Sequence, residues 1–134
     1  MATAQDSSFP NGRETIKFVG SVARTDTTAK TLFTLPAGTI PLTVRLASTN
    51  NSDAATTATL SVGTSGGAAT TYLNAVDIKT AATGKGSWVP VTSGSAKLGV
   101  ANATGETVNG TYAETGGAST TGGPWIVILE CLVV

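Results

Sequence analysis

The sequence contains no histidine and only one cysteine, Cys131. Histidine is the commonest general base and a frequent zinc ligand, so its absence excludes Ser-His and Cys-His catalysis and most zinc sites. A single cysteine excludes a disulfide within the chain, which favours assembly in a reducing compartment. Because Cys131 lies in the most apolar run of the sequence, we expect a small buried hydrophobic residue rather than a nucleophile.

Charge is also scarce. Charged residues make up 12% of the chain, and eight Lys and Arg balance eight Asp and Glu. Without a basic field nothing attracts nucleic acid or anionic lipid, so we expect neither nucleic acid nor a membrane as a partner. No run approaches the roughly 18 apolar residues of a membrane span, and the first residues lack the basic and apolar regions of a secretion signal.

Small and β-branched residues dominate what remains. Thr, Ala, Gly and Ser form about half of the chain, and Thr and Gly at this density disfavour helices. Residues 1–14 are polar and irregular, so we predict an extended amino-terminal arm there and a single domain over residues 15–134. About seven to nine short strand-like runs separated by turn signals predict an all-β fold, an antiparallel β-sandwich of jelly-roll or immunoglobulin-like type.

Individual runs differ in how clearly they indicate a strand. Residues 15–23, 39–48 and 57–63 alternate apolar and polar side chains, and Ile40, Leu42, Val44 and Leu46 are expected to share one buried face. Pro41 cannot donate to a ladder, so its strand should lie at a sheet edge or begin pairing only after Pro41. Residues 95–102 are a shorter strand-like run. Residues 72–78 mix spacings of two and three, which fits one helical turn or an irregular crossover, and we predict a strand-to-loop connection there.

The final run, WIVILECLVV, is apolar on both faces. Trp125, Val127 and Leu129 share one face, and Ile126 and Ile128 lie on the other. A strand of this kind is normally covered on both sides. One side would face the core, and the other would face either a neighbouring subunit or loops of the same chain. We select Trp125, Val127 and Leu129 as candidate residues of a subunit or capsid interface.

No constellation of residues predicts catalysis, a metal or a cofactor. The acidic residues are scattered singly, and a glycosidase-like carboxylate pair usually lies in an aromatic-lined cleft, which this aromatic-poor chain hardly supplies. Asp53 lies in the oxygen-rich loop STNNSD, but the loop lacks the spaced acidic ligands of a calcium motif and is better interpreted as a solvated turn. Trp88 and Trp125 could stack on a sugar, although each adjoins an apolar run, which favours packing. We therefore predict that the chain is not an enzyme.

The motifs between residues 31 and 86 resemble those of a group of phage proteins. TLFTLPAGTIPLTVRLAS, followed by TATLSVGTS and YLNAVDIKTAATG, is similar to a recurring pattern in small virion proteins of tailed bacteriophages, in particular head decoration (cement) proteins. The resemblance implies a β-sandwich that binds the major capsid protein, commonly as a homotrimer, and stabilises the assembled head. It also implies a place on the capsid surface of the virion after assembly in the host cytoplasm, and it transfers no site residues.

An arm that becomes ordered on binding would suit such a role, and Phe9, Pro10 and Arg13 are its candidate contact residues. Two alternative functions fit the same composition. One is a tail or neck structural subunit, which differs only in its location. The other is a glycan-binding or receptor-binding β-sandwich module, which requires an exposed Trp88 or Trp125.

Overall fold

The computed structural model describes residues 14–48, 50–68, 70–80, 88–90 and 97–133, with the backbone alone at positions 48 and 88–90. These residues form eight β-strands and no α-helix. In chain order the strands are β1 (Thr15–Val22), β2 (Lys30–Leu35), β3 (Thr39–Ser48), β4 (Thr57–Thr64), β5 (Leu73–Asp77), β6 (Trp88–Pro90), β7 (Glu106–Thr115) and β8 (Trp125–Val133).

The eight strands form two four-stranded sheets that enclose one core. The strand order is β1-β8-β3-β6 in the first sheet and β2-β7-β4-β5 in the second. Neighbouring described strands pair antiparallel in both sheets. The prediction of an antiparallel β-sandwich is therefore confirmed.

The core is built from alternate residues of the strands, because successive side chains of a strand point to opposite faces. In β4 the apolar side chains of the alternation predicted for residues 57–63, namely Ala58, Leu60 and Val62, are all buried. Apolar burial of this kind is the main stabilising contribution to such a fold, about 25 cal/mol for each Å² of apolar surface removed from water. The largest fully buried side chains are Trp125, Tyr72, Tyr112, Leu35, Leu46, Leu60, Leu73, Ile78, Leu129, Val22, Val44 and Val62.

The alternation in β3 is interrupted. The pattern predicted that Leu42 would be buried together with Val44 and Leu46, but Leu42 is 38% exposed and Pro41 is buried instead. The pairing with β8 contains a register shift between Pro41 and Thr43. A bulge of this kind inserts one residue and so exchanges the two faces of the strand. The prediction of burial was wrong for Leu42, at the bulge, and is confirmed for Val44 and Leu46, which follow it.

The position of β3 differs from both expectations raised by Pro41, because β3 is a central strand and its pairing with β8 begins at Thr39, before Pro41. β3 lies between β8 and β6 rather than at a sheet edge, and it pairs with β6 only over residues 45–47. Near the start of β3, the amide of Asn102 donates to the carbonyl of Thr39 over 2.8 Å. Residues 97–102, which were predicted to be strand-like, form a turn and loop that cover this part of the edge.

Residues 72–78 continue the second sheet as its edge strand. β5 pairs antiparallel with β4, and the pairing contains a register shift between Leu60 and Val62. Tyr72 donates its amide to the carbonyl of Val62 over 2.8 Å, and Ile78 is buried at the other end. The mixed spacing in the sequence reflects this irregular pairing, not a helical turn.

Candidate interaction surface

The three interface candidates of β8 face the core of their own chain. Trp125 and Val127 are 0% exposed and Leu129 is 1% exposed. A side chain that is buried inside its own subunit offers no area to a partner unless the sandwich opens. These three residues are therefore core residues rather than exposed interface residues. Participation of β8 in an interface stays a prediction, and such an interface would have to use the opposite face of the strand.

The opposite face of β8 is apolar and partly exposed. Ile126 and Ile128 are half-buried, and Val19 of β1, which is in register with Ile128, is 56% exposed. In the first sheet, the described strands leave this side without a covering layer, because the second sheet packs on the other side. We define the first-sheet face by six residues of β1, β3 and β8: Lys17, Val19, Arg45, Ile126, Ile128 and Glu130.

Charged residues lie among these apolar side chains. Lys17 of β1 is in register with Glu130 of β8, and Arg45 of β3 is in register with Ile128. Together with Thr43 these residues line an open groove of about 300 Å³. The first-sheet face therefore presents both signs of charge around an aliphatic centre.

The outer face of the second sheet has a different character. Thr57, Thr59 and Ser61 of β4 alternate with the buried residues of that strand and lie beside Thr111 and Thr115 of β7. The hydroxyl oxygens of Thr57 and Thr115 are 2.7 Å apart. A hydroxyl-covered sheet is well suited to contact with water, whereas the first-sheet face exposes aliphatic carbon.

Sequence reasoning overlooked the first-sheet face. The alternation of residues 15–23 predicts a polar outward side for β1, but Val19 lies on that side between Lys17 and Ser21. A β-branched apolar residue within an otherwise polar strand face was the available signal. Val19 forms part of an apolar surface only because Ile128 lies beside it, and this arrangement results from the pairing of β1 with β8.

Trp125 does not form a sugar-binding platform in this fold. Its ring stacks on Tyr112 with centroids 5.3 Å apart and an interplanar angle of 12°, and it is fully buried. A glycan-binding aromatic must expose one face of its ring, which Trp125 does not. The side chain of Trp88 lies outside the described part of the structure.

The tyrosine in this stack also organises polar groups at one end of the sandwich. Tyr112 Oη lies 2.7 Å from Ser52 Oγ and 3.1 Å from Ser119 Oγ, and it donates to Glu114 Oε2 over 2.5 Å. Burial and the neighbouring Glu114 carboxylate raise the pKa of the Tyr112 hydroxyl. The cluster links the loop before β4 to the loop before β8.

Other carboxylates hold loops in the same way. Asp53, the residue considered for calcium, accepts hydrogen bonds from the amides of Thr120 and Thr121 over 2.8 and 2.9 Å and from the Thr120 hydroxyl over 2.7 Å. These hydrogen bonds hold the pKa of Asp53 well below its usual range. Glu106 accepts from the Tyr72 hydroxyl over 2.7 Å and pairs with Lys97 over 2.8 Å.

No metal or membrane site is seen in the described parts of the chain. Among those residues no three His, Cys, Asp or Glu side chains lie close enough to hold a metal ion, and no helix there is long and apolar enough to cross a membrane. Cys131 is buried, as expected, and this burial raises the pKa of its thiol to about 11. The expectation that the chain has no catalytic activity stays a prediction.

The remaining candidate interface residues, Phe9, Pro10 and Arg13, lie outside the described residues. The nearest described position is Glu14, whose carbonyl accepts a hydrogen bond from the amide of Val133 over 2.9 Å. The backbone at Glu14 is thus attached to β8 of the first sheet.

The fold is similar to that of a phage capsid chain. A chain of the cyanophage Pam1 capsid asymmetric unit aligns with a TM-score of 0.65 and 26% sequence identity, covering 99% of this chain and 94% of that chain. A chain of the acid-stable capsid structure of Helicobacter pylori bacteriophage KHP30 aligns with a TM-score of 0.47 and 13% identity, covering 90% of each chain. No protein-family model matches the sequence, and no curated protein matches it.

Proposed function

We propose that this chain is a bacteriophage capsid decoration (cement) protein, which binds the major capsid protein at the capsid surface as a homotrimer and stabilises the assembled head. The observation that carries the proposal is the similarity to the Pam1 capsid chain, which spans 99% of this chain and 94% of the other. The likeness thus extends over nearly the full length of both aligned chains. It supports a structural, non-enzymatic role in a virion.

The physical requirements of a cement protein agree with the described residues. A protein that binds the assembled shell better than its separate subunits shifts the equilibrium towards the shell, without any reaction. It needs a rigid body and contact surfaces, and here the strongly hydrogen-bonded carboxylates Asp53 and Glu114 hold loops together. Assembly in the host cytoplasm is compatible with a single, unpaired Cys131.

The proposal is tested with phage heads that lack this chain. Recombinant full-length protein should bind such heads saturably and raise the temperature at which they lose integrity, because binding to the intact shell lowers its free energy. Co-sedimentation measures the occupancy and a thermal release assay measures the stabilisation. Cryo-electron microscopy of intact virions that places the chain in the tail or neck would contradict the proposal and support the alternative structural role.

The arm is expected to contribute to attachment. Deletion of residues 1–13 should weaken binding to heads at least about tenfold, since a segment that orders on its partner adds contact area to that of the rigid domain. The unfolding midpoint of the domain should not change. Replacing Phe9, Pro10 and Arg13 together by alanine gives a sharper variant, and head occupancy equal to that of the unaltered chain would show that the arm is not a contact.

A further inference from the structure

The first-sheet face exposes aliphatic side chains that no described element covers. Val19 is 56% exposed, and it lies in register with the half-buried Ile128 at the centre of the sheet. An exposed aliphatic side chain lacks the stabilisation that burial against a partner would give it. The threonine-covered face of the second sheet has no such centre, so the two sides of the sandwich are suited to different surroundings.

The charges of this face are not paired with other described residues. Lys17, Arg45 and Glu130 form no side-chain hydrogen bond or ion pair within the described ranges, although Lys17 and Glu130 are in register on adjacent strands. Opposite charges around an apolar centre allow a head-to-tail contact, in which Glu130 of one copy lies against Lys17 or Arg45 of the next. Three such contacts around a common axis close a trimer.

We propose that the first-sheet face is an interface between copies of this chain. The proposal rests on the proposed function in that it names the surface by which the decoration protein would associate with itself. A second copy is the favoured occupant because the face carries both members of each charge pair, whereas a strongly charged partner would favour a face of a single sign. The hydroxyl-rich face of the second sheet remains exposed in this assembly.

The first test is a charged residue at the centre of the face. In the full-length chain, Val19→Asp should raise the dissociation constant of self-association at least tenfold, measured by sedimentation velocity, because the new carboxylate would be desolvated between copies. The side chain is largely exposed in one chain, so the unfolding midpoint should change little. The control is Thr34→Asp, an exposed position on the outer face of the second sheet, which should leave self-association unchanged.

The second test reverses the charges. Glu130→Lys alone should weaken self-association by placing three cations on the face. Adding Lys17→Glu and Arg45→Glu restores a face with both signs, and self-association should recover to within about threefold of the unaltered chain. Recovery of this kind is not expected if the single substitution merely disturbs folding.

Other outcomes overturn the proposal. If the Val19→Asp variant still self-associates and its unfolding midpoint is unchanged, the copies associate through another surface. If it still self-associates but its unfolding midpoint falls, residues of the same chain cover the face. If the unaltered chain sediments as a monomer at micromolar concentration, both this interface and the homotrimer are excluded. Saturable binding of that monomer to heads would still support the decoration role, so the two failures are distinguishable.

Discussion

One side chain at one end of the sandwich, Tyr112, combines apolar packing with several polar contacts. Tyr112 stacks on Trp125 through its ring and contacts Ser52, Glu114 and Ser119 through its hydroxyl. A buried polar group that loses its partner costs more free energy than the hydrogen bond contributes when it is formed. The hydroxyl of Tyr112 therefore provides a hydrogen-bond partner for three side chains at once, those of Ser52, Glu114 and Ser119.

Replacing this hydroxyl measures its contribution. Tyr112→Phe keeps the ring stack but leaves the buried Ser52 and Ser119 side chains short of a partner, and we expect it to lower the free energy of unfolding by about 1–3 kcal/mol. Tyr72→Phe is the matched control, because its hydroxyl contacts only Glu106 among the described hydrogen bonds and Glu106 keeps Lys97. Chemical denaturation of both variants checks whether Tyr112→Phe loses more free energy of unfolding than Tyr72→Phe. An equal loss in the two would contradict the cluster argument.

At the scale of the elements, the two sheets approach closely where β1 faces β2. The pairing of β2 with β7 shifts register between Thr31 and Phe33, at Leu32. A Cβ atom placed on Gly20 of β1 would lie 2.7 Å from Leu32 Cβ and 3.2 Å from Leu32 Cα. One placed on Gly110 of β7 would lie 2.5 Å from Val22 Cγ2 and 3.1 Å from Leu32 Cδ1. Gly20 thus provides space for Leu32, and Gly110 provides space for Val22 and Leu32.

Adding a methyl group to this space should be costly. Gly20→Ala requires the backbone at Leu32 to move, because the close contacts include its Cα and Cβ atoms and not only the end of its side chain. We expect a loss of about 1–3 kcal/mol in the free energy of unfolding, as for other overpacked sites. Ser21→Ala on the same strand should stay within about 0.5 kcal/mol. A neutral Gly20→Ala would show that β1 and β2 can separate without loss.

For the whole molecule, hydrogen-bonded carboxylates make stability depend on pH. Hydrogen bonds from backbone amides lower the pKa of Asp26 and Asp53, and hydrogen bonds from Thr80 and Ser119 lower those of Asp77 and Glu114. These groups bind protons more readily in the unfolded chain, where their pKa values are about 4. Their contribution is complete above that pH and is lost as the pH falls towards the lower pKa values of the folded state.

The unfolding midpoint should therefore be nearly constant between about pH 5 and 7 and should fall below about pH 4. Asp53→Asn removes one of these carboxylates and weakens the attachment of residues 120–121 to the loop before β4. It should lower the midpoint most at neutral pH, and the difference from the unaltered chain should narrow at about pH 3. Thermal unfolding followed by circular dichroism across this range checks both expectations. If the difference in unfolding midpoint between Asp53→Asn and the unaltered chain widened on acidification, the predicted direction of the pH dependence would be wrong.

Several features could be predicted because they depend on neighbouring residues in the sequence. The alternation in β4 located Ala58, Leu60 and Val62 in the core, and the apolar run around Cys131 predicted its burial. The bulge at Leu42 could not be predicted, because it depends on how β3 pairs with β8, about 90 residues later in the chain. The irregular pairing of β5 with β4 could not be predicted either, although these strands are consecutive, because a register shift depends on which backbone groups pair and not on the side-chain pattern alone.

The sequence by itself determined an all-β chain with short strands, little charge, one thiol and no histidine chemistry. Only the tertiary structure decided which face of β8 is the core, placing Trp125, Val127 and Leu129 inside and Ile126 and Ile128 outside. The physical reason is that a strand with two apolar faces satisfies either orientation locally, and the choice depends on the layer that packs against it. The same pairing brought Val19, Ile128 and Glu130 together from strands distant in sequence and so created the surface proposed for self-association.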